Sequence, residues 1–201
     1  MKKRTVIILI AGIVSVFVAF GCGGAKNKDE TKTSANANMS SLEGAPAWVT
    51  KDCRQIFVGT PQAGSMVCGV GSVSGMTDRS LARQAATGRG RTEIASFLQL
   101  RIKSMLKDYQ KAESNPDGSF SSETEIENVS KQITDITLNG TRMIESWMSP
   151  TGEYFALVVL SVEDFSSAIE SSTGLDENIR TTVLEGAPKL FSELDAEGGY
   201  Y

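Results

Sequence analysis

The side chains with chemical potential in this 201-residue chain are few. They are three cysteines (Cys22, Cys53, Cys68), a glycine-spaced turn (Gly69-x-Gly71-x-x-x-Gly75), and an acid on a strand beside a tryptophan, Glu145 and Trp147. Histidine is absent, which removes Ser-His-Asp and Cys-His nucleophilic systems and the commonest transition-metal ligand. Cys53 and Cys68 alone are too few thiols for a zinc site, and no metal is expected. Gly69 to Gly75 sits between a strand and a helix, where a phosphate loop would lie. Its third glycine comes one position late for the dinucleotide fingerprint, and no Walker lysine follows, so the strand-to-helix turn is the preferred reading. Glu145 reads as a solvated strand residue before it reads as a general acid or base. Trp48 and Trp147 read as packing aromatics before they read as a stack for a flat ligand. No catalytic residue and no cofactor are expected, and the chain is not read as an enzyme.

Cys22 has a different chemistry. Lys2, Lys3 and Arg4 precede an almost uninterrupted apolar run from Thr5 to Phe20, which ends in Gly21-Cys22-Gly23-Gly24. Sixteen apolar residues are short for a spanning helix of about 20, and a charged head, apolar run and small-residue exit make a signal peptide over residues 1–21. Ala19-Phe20-Gly21-Cys22 resembles the bacterial lipobox, with Ala19 where leucine is usual and Phe20 where a small residue is usual. In that chemistry the Cys22 thiol takes a diacylglyceryl thioether before the peptidase cuts in front of it. Lipid attachment at Cys22 is the expectation; an ordinary secretory cleavage and an uncleaved anchor helix are the alternatives. The lipid bilayer is thus the first partner expected, and Gly23 after the cysteine agrees with outer-membrane delivery under the enteric sorting rule. Residues 22–44 read as the lipidated cysteine and a flexible tether of small and polar residues, with a reach of about 25 Å at roughly 5–6 Å times √n.

Removing residues 1–21 takes three positive charges from a formal charge of -4, leaving -7, which disfavours nucleic acid as a partner. The charge is unevenly placed. Residues 79 to 111 hold eight Lys or Arg against Glu93 and Asp108, giving +6, whereas residues 153 to 201 hold ten acids against Arg180 and Lys189, giving -8. These read as solvated helix faces, or as two surfaces that meet within or between subunits. The export signal also puts Cys53 and Cys68 in a compartment that is oxidising in many bacteria. A disulfide between them is slightly preferred over two small buried thiols.

The elements that must position these residues occupy 45–201, a stretch read as a single domain. Ser65 to Val73 alternates as a strand. From a cap at Thr77 or Asp78, Leu81, Ala85, Gly88, Thr92, Ala95, Leu98, Ile102, Leu106 and Tyr109 recur at threes and fours to about Ala112, giving one helix of roughly nine turns. On this spacing Gly88 falls on the packed side, and Gly90 falls among arginines with no packing to offset its cost. Ser114 to Gly118 is a turn cluster, and Ile126, Val129, Ile133 and Ile136 space as a helix capped near Ser121 or Ser122. Gly140 to Met148 and Tyr154 to Val162 flank a Pro-Thr-Gly hairpin. The alternation places Met143, Glu145 and Trp147 on one face, and the second strand is apolar enough to be central. Two helices follow, Val162 to Ser172 and Asn178 to Leu194, the latter expected to bend before Pro188.

Pro46-Ala47-Trp48-Val49, the Gly69-x-Gly71 strand, the alanine- and arginine-rich helix from Arg79, Ser149-Pro150-Thr151-Gly152-Glu153-Tyr154 and Glu163-Asp164-Phe165 together carry a resemblance. Over about residues 45 to 195 the chain resembles the LPP-twenty family of bacterial outer-membrane lipoproteins. The resemblance implies an α+β fold in which a long helix packs on a small antiparallel sheet, the dodecin-like order of strand, helix and hairpin, with additional C-terminal helices. It implies no catalytic residues. Family members are envelope lipoproteins, and related flagellar lipoproteins assemble into rings or disks. The functional expectation is therefore a membrane-anchored envelope lipoprotein with a structural or assembly role, as a homo-oligomer or with other envelope proteins. The alternative is a binding module for a small aromatic or anionic ligand on the periplasmic side.

Overall fold

The computed structural model describes residues 42–112 and 122–196. Cys22, the signal segment, most of the tether and the Ser114 to Gly118 turn cluster lie outside the described residues. Three strands, β1 (Met66–Val73), β2 (Arg142–Met148) and β3 (Tyr154–Ser161), form an antiparallel sheet in the order β1-β3-β2. β3 is central, as its composition suggests, and is buried from Phe155 to Ser161. A strand covered on both faces has no solvent side, so it needs no polar alternation. The β2–β3 turn closes with the Gly152 N–H on the Ser149 carbonyl at 3.0 Å and the Ser149 N–H on the Glu153 carbonyl at 2.8 Å. Gly152 takes a φ of 86°, a backbone state that side chains other than glycine's disfavour.

The residues of β1 and β3 sort by parity. Val67, Gly69, Gly71 and Val73, with Ala156, Val158 and Leu160, face the long helix α2 (Arg79–Ala112). Cys68, Phe155, Leu157 and Val159 face the opposite side, onto Trp48, Cys53 and Phe57. In β2 a register shift between Met143 and Glu145 breaks the alternation: Met143 pairs with Val158 and Glu145 with Leu157. Met143 therefore packs on the helix side, while Glu145 and Trp147 lie on the other. The expectation of one shared face fails because one extra residue inverts the side-chain parity downstream.

The buried residues of α2 are Ala82, Ala86, Gly90, Ile94, Leu98, Ile102 and Leu106, an unbroken spacing of four. At 3.6 residues per turn, each step of four advances the stripe by about 40° around the helix. The stripe therefore winds from the sheet side at its start to the helical side at its end. The stripe expected from the sequence is right at Leu98, Ile102 and Leu106 and wrong before them. Leu81 is 55% exposed, and Gly88 has open space where a Cβ would stand. Gly90, expected to be unpacked, is the buried glycine: a Cβ there would lie 2.8 Å from Val158 Cγ2. Across from it, a Cβ on Gly69 would strike the Gly90 carbonyl oxygen, and one on Gly71 would strike that of Ala86. Helix and strand cross backbone against backbone.

Beyond the crossing, Leu98, Ile102 and Leu106 meet α3 (Glu123–Leu138), α4 (Val162–Ser171) and α5 (Glu177–Ala196) around Ile126, Ile133, Phe165, Ile169, Val183 and Phe191. The Phe165 and Phe191 rings stand edge-on with centroids 5.4 Å apart. Ser122 caps α3 by accepting from Glu125 N–H at 3.2 Å, and Ser161 caps α4 by accepting from Asp164 N–H at 3.0 Å. α5 runs continuously through Pro188.

Gly71 and Gly90, at the crossing, should respond to alanine oppositely to Gly88, which faces open space. Gly71→Ala and Gly90→Ala should each lower stability by about 1–3 kcal/mol through overpacking, whereas Gly88→Ala should raise it by up to about 1 kcal/mol through helix propensity. Thermal unfolding of the three variants checks this, and equal effects at Gly88 and Gly90 would refute the crossing.

Candidate functional site

The 16 residues from Leu42 to Phe57 form a strap across the back of the sheet. Leu42 packs against the buried back-face cluster that contains Trp48, Phe57 and Leu157. The strap contains a single-turn helix α1 (Ala47–Thr50) and a 3-10 turn, Cys53–Ile56. Three fastenings hold it, and a fourth lies just beyond it. Trp48, 3% exposed, donates its indole N–H to Glu145 Oε2 at 2.6 Å, which ties it to β2. Cys53 is joined to Cys68 of β1, with an S–S distance of 2.07 Å and Cα atoms 6.1 Å apart. Arg54 pairs with the Asp52 carboxylate and donates to the Leu194 carbonyl at 2.9 Å, reaching the end of α5. Just past the strap, Gly64 N–H donates to Asp195 Oδ2 at 3.0 Å. The Arg54 side chain holds the Asp52 carboxyl below its usual range, against the opposing effect of burial.

Between the strap, the outer edge of β1 and α2 lies a cleft of about 750 Å³, bordered by Trp48, Lys51, Arg54, Glu93, Phe97 and Leu194. Glu93, half-buried, accepts from Val70 N–H at 2.6 Å. One turn earlier on α2, Arg89 donates to the Ser72 carbonyl. Two side chains of α2 thus occupy backbone groups on the edge of β1 that another strand would need. Burial pushes the Glu93 carboxyl above its usual range, and the Val70 hydrogen bond opposes that rise. Sequence reasoning passed over Glu93. The available signal was its place as the lone acid between Arg79 and Lys107, directly before the buried Ile94.

The candidates singled out in the sequence are placed as follows. Glu145 is exposed and serves as the acceptor for Trp48. Trp147 packs on Phe155, ring centroids 5.5 Å apart, in the same cluster as Trp48. Gly69 and Gly71 turn toward α2, and Gly75 takes a φ of 75° in the turn beyond. The N-terminus of α2 is already capped by Asp78 Oδ1, which accepts from Ser80 N–H at 2.7 Å and Leu81 N–H at 3.1 Å. The basic half of α2 meets acids within the chain, but those of α3: Lys107 lies 2.7 Å from Glu123, and Lys103 lies 3.7 Å from Glu127. Among the described residues no group of three acids or cysteines is placed to hold a metal, and no helix is long and apolar enough to cross a membrane.

The architecture is that of a small α+β protein whose long helix crosses an antiparallel sheet. The family model of the LPP20 lipoprotein matches residues 58–161, about half of the chain, and the protein belongs to that family. It is accordingly a lipoprotein of the cell envelope. The matched stretch runs from just after the 3-10 turn to the last residue of β3, so it contains the crossing and the sheet and leaves out α1, Cys53 and the two C-terminal helices. No curated protein matches the chain.

A carboxyl whose folded pKa is raised binds protons more readily in the folded state, so its contribution to stability falls as pH rises through the window above the ordinary glutamate value. Glu93→Gln keeps an acceptor for Val70 N–H and removes the charge. The variant should gain on the wild type as pH rises from about 4.5 toward neutral, and the two should converge in acid; denaturant midpoints across that range check the sign. Removing the Cys53–Cys68 bridge with paired serines should cost about 3 kcal/mol, as expected for a closed loop of roughly 15 residues, and is read from the same midpoints under oxidising conditions.

Proposed function

We propose that this protein is anchored in the outer membrane through lipid on Cys22, with residues 1–21 removed, and that it works without catalysis, as a structural or assembly component of the envelope. The observation that carries the reading is the use made of each chemically capable group in the described residues. The cysteines staple the strap, the Gly-x-Gly pair admits the helix, Glu145 holds Trp48, and Asp78 fills the helix N-terminus. What remains unpaired is charge on the surface, including Glu163, Glu170 and Glu185 on α4 and α5, which are exposed. Such a face suits contact with neighbouring envelope proteins or further copies through complementary charge. A diacylglyceryl group and an amide-linked acyl chain, at about 0.8 kcal/mol per buried CH₂, make the attachment effectively permanent.

Intact-mass measurement of the protein extracted from envelopes should give residues 22–201 plus three acyl chains, and Cys22→Ser should retain residues 1–21. A mature mass without acyl chains would refute the anchor. Sedimentation in mild detergent should show association that weakens with salt, and a strict monomer at high concentration would refute self-assembly.

A further inference from the structure

The two ends of the sheet differ in chemistry. β1 ends, β2 ends and β3 begins at the same place, since Val73 pairs with Tyr154 and Tyr154 with Met148. The hairpin, the turn through Gly75 and the first residues of α2 therefore share that end. Three of the six large apolar side chains that are exposed in the described residues belong to it: Met76 at 44%, Leu81 at 55% and Met148 at 41%. Arg79 and Arg83 stand exposed among them, in no ion pair with a described residue, and Arg89 lies close by on Ser72. Against these three cations the end carries Asp78, whose carboxylate is taken up in capping α2, and Glu153. The opposite end, about 25 Å away along eight strand residues, holds Ser65 and the start of α4. Five acids lie there, Asp52, Glu163, Asp164, Glu193 and Asp195, against four cations, the exposed Lys51 and the already paired Arg54, Arg142 and Lys189. The charge thus changes sign along the sheet axis, and half of the exposed large apolar side chains of the described residues lie at the basic end.

From this polarity we infer a membrane-contact surface: the hairpin end, through Met76, Leu81 and Met148 with Arg79 and Arg83, rests on an anionic phospholipid bilayer. Scattered apolar side chains flanked by arginines suit a headgroup layer, where aliphatic groups enter and guanidinium groups pair with phosphate. The acidic end is repelled by the same surface, which sets the orientation and turns the exposed acids of α4 away from the bilayer. The inference builds on the lipid anchor proposed above, because attachment to a bilayer holds the domain near it at an effective concentration on the order of millimolar, so that even a weak surface contact is populated.

The test uses the mature chain reconstituted in vesicles of phosphatidylcholine with or without phosphatidylglycerol, carrying an environment-sensitive fluorophore on Thr77→Cys or on Glu163→Cys, with nitroxide-bearing lipid as quencher. The Thr77 label should be quenched severalfold more than the Glu163 label, only in the anionic vesicles, and the difference should vanish in Arg79→Glu/Arg83→Glu and shrink in Leu81→Ser. Equal quenching at both positions, or quenching that survives the charge reversal, overturns the surface. So does a Thr77 label shielded only by raising protein density, which assigns this end to a second copy. Flotation with the vesicles is scored separately: flotation without quenching removes the contact and leaves the tether, whereas quenching in excess vesicles without flotation removes the tether and leaves the contact.

Discussion

At the crossing of α2 over β1, two backbones touch with no side chain between them, and the remainder of the fold is arranged around that contact. Gly69 and Gly71 on the strand and Gly90 on the helix supply the absence of Cβ atoms that the approach requires. An exposed mid-helix glycine costs about 1 kcal/mol relative to alanine; at Gly90 the close contact with Val158 and the strand offsets it. The approach also brings Glu93 and Arg89 within reach of Val70 and Ser72, so the helix that covers one face of the sheet also covers its edge. Packing and edge protection follow from a single geometry.

The spacing of four along α2 then decides how the two halves of the molecule connect. Because the buried stripe rotates as it advances, one helix seats Ala82 and Ala86 on the sheet and Leu106 among α3, α4 and α5. Its charges follow the same division. Lys103 and Lys107, beside α3, are paired with Glu123 and Glu127, while Arg79 and Arg83 at the other end are not. The back of the sheet is closed by the strap, which enters through Trp48 and Cys53. The strap is fastened in turn to β1, β2 and α5.

Much of the element order was legible in the residues. β3 reads as central because it lacks polar alternation, the hairpin reads from Pro150 and Gly152, and α3 reads from its serine cap and its Ile spacing. The errors are local and share a cause. Small residues on α2 offer two or three equivalent stripes, and hydrophobicity cannot choose between Ala85 and Ala86 or between Gly88 and Gly90. On β2 the alternation is sound on each side of a bulge that composition does not announce. Glu93 was hidden because a burial-raised acid on a basic helix looks like any salt-bridging residue until the strand edge beside it is known.

Sequence alone determined the α+β class, the places of the strands and helices, the family, and the lipobox-like context of Cys22, since each depends on the order of residues along the chain. Tertiary structure decided which glycine is buried, which face of β2 is inward and what Cys53, Glu93 and Glu145 contact. Those outcomes depend on the angle and register at which α2 meets β1, and a backbone contact leaves no side-chain pattern from which to read it.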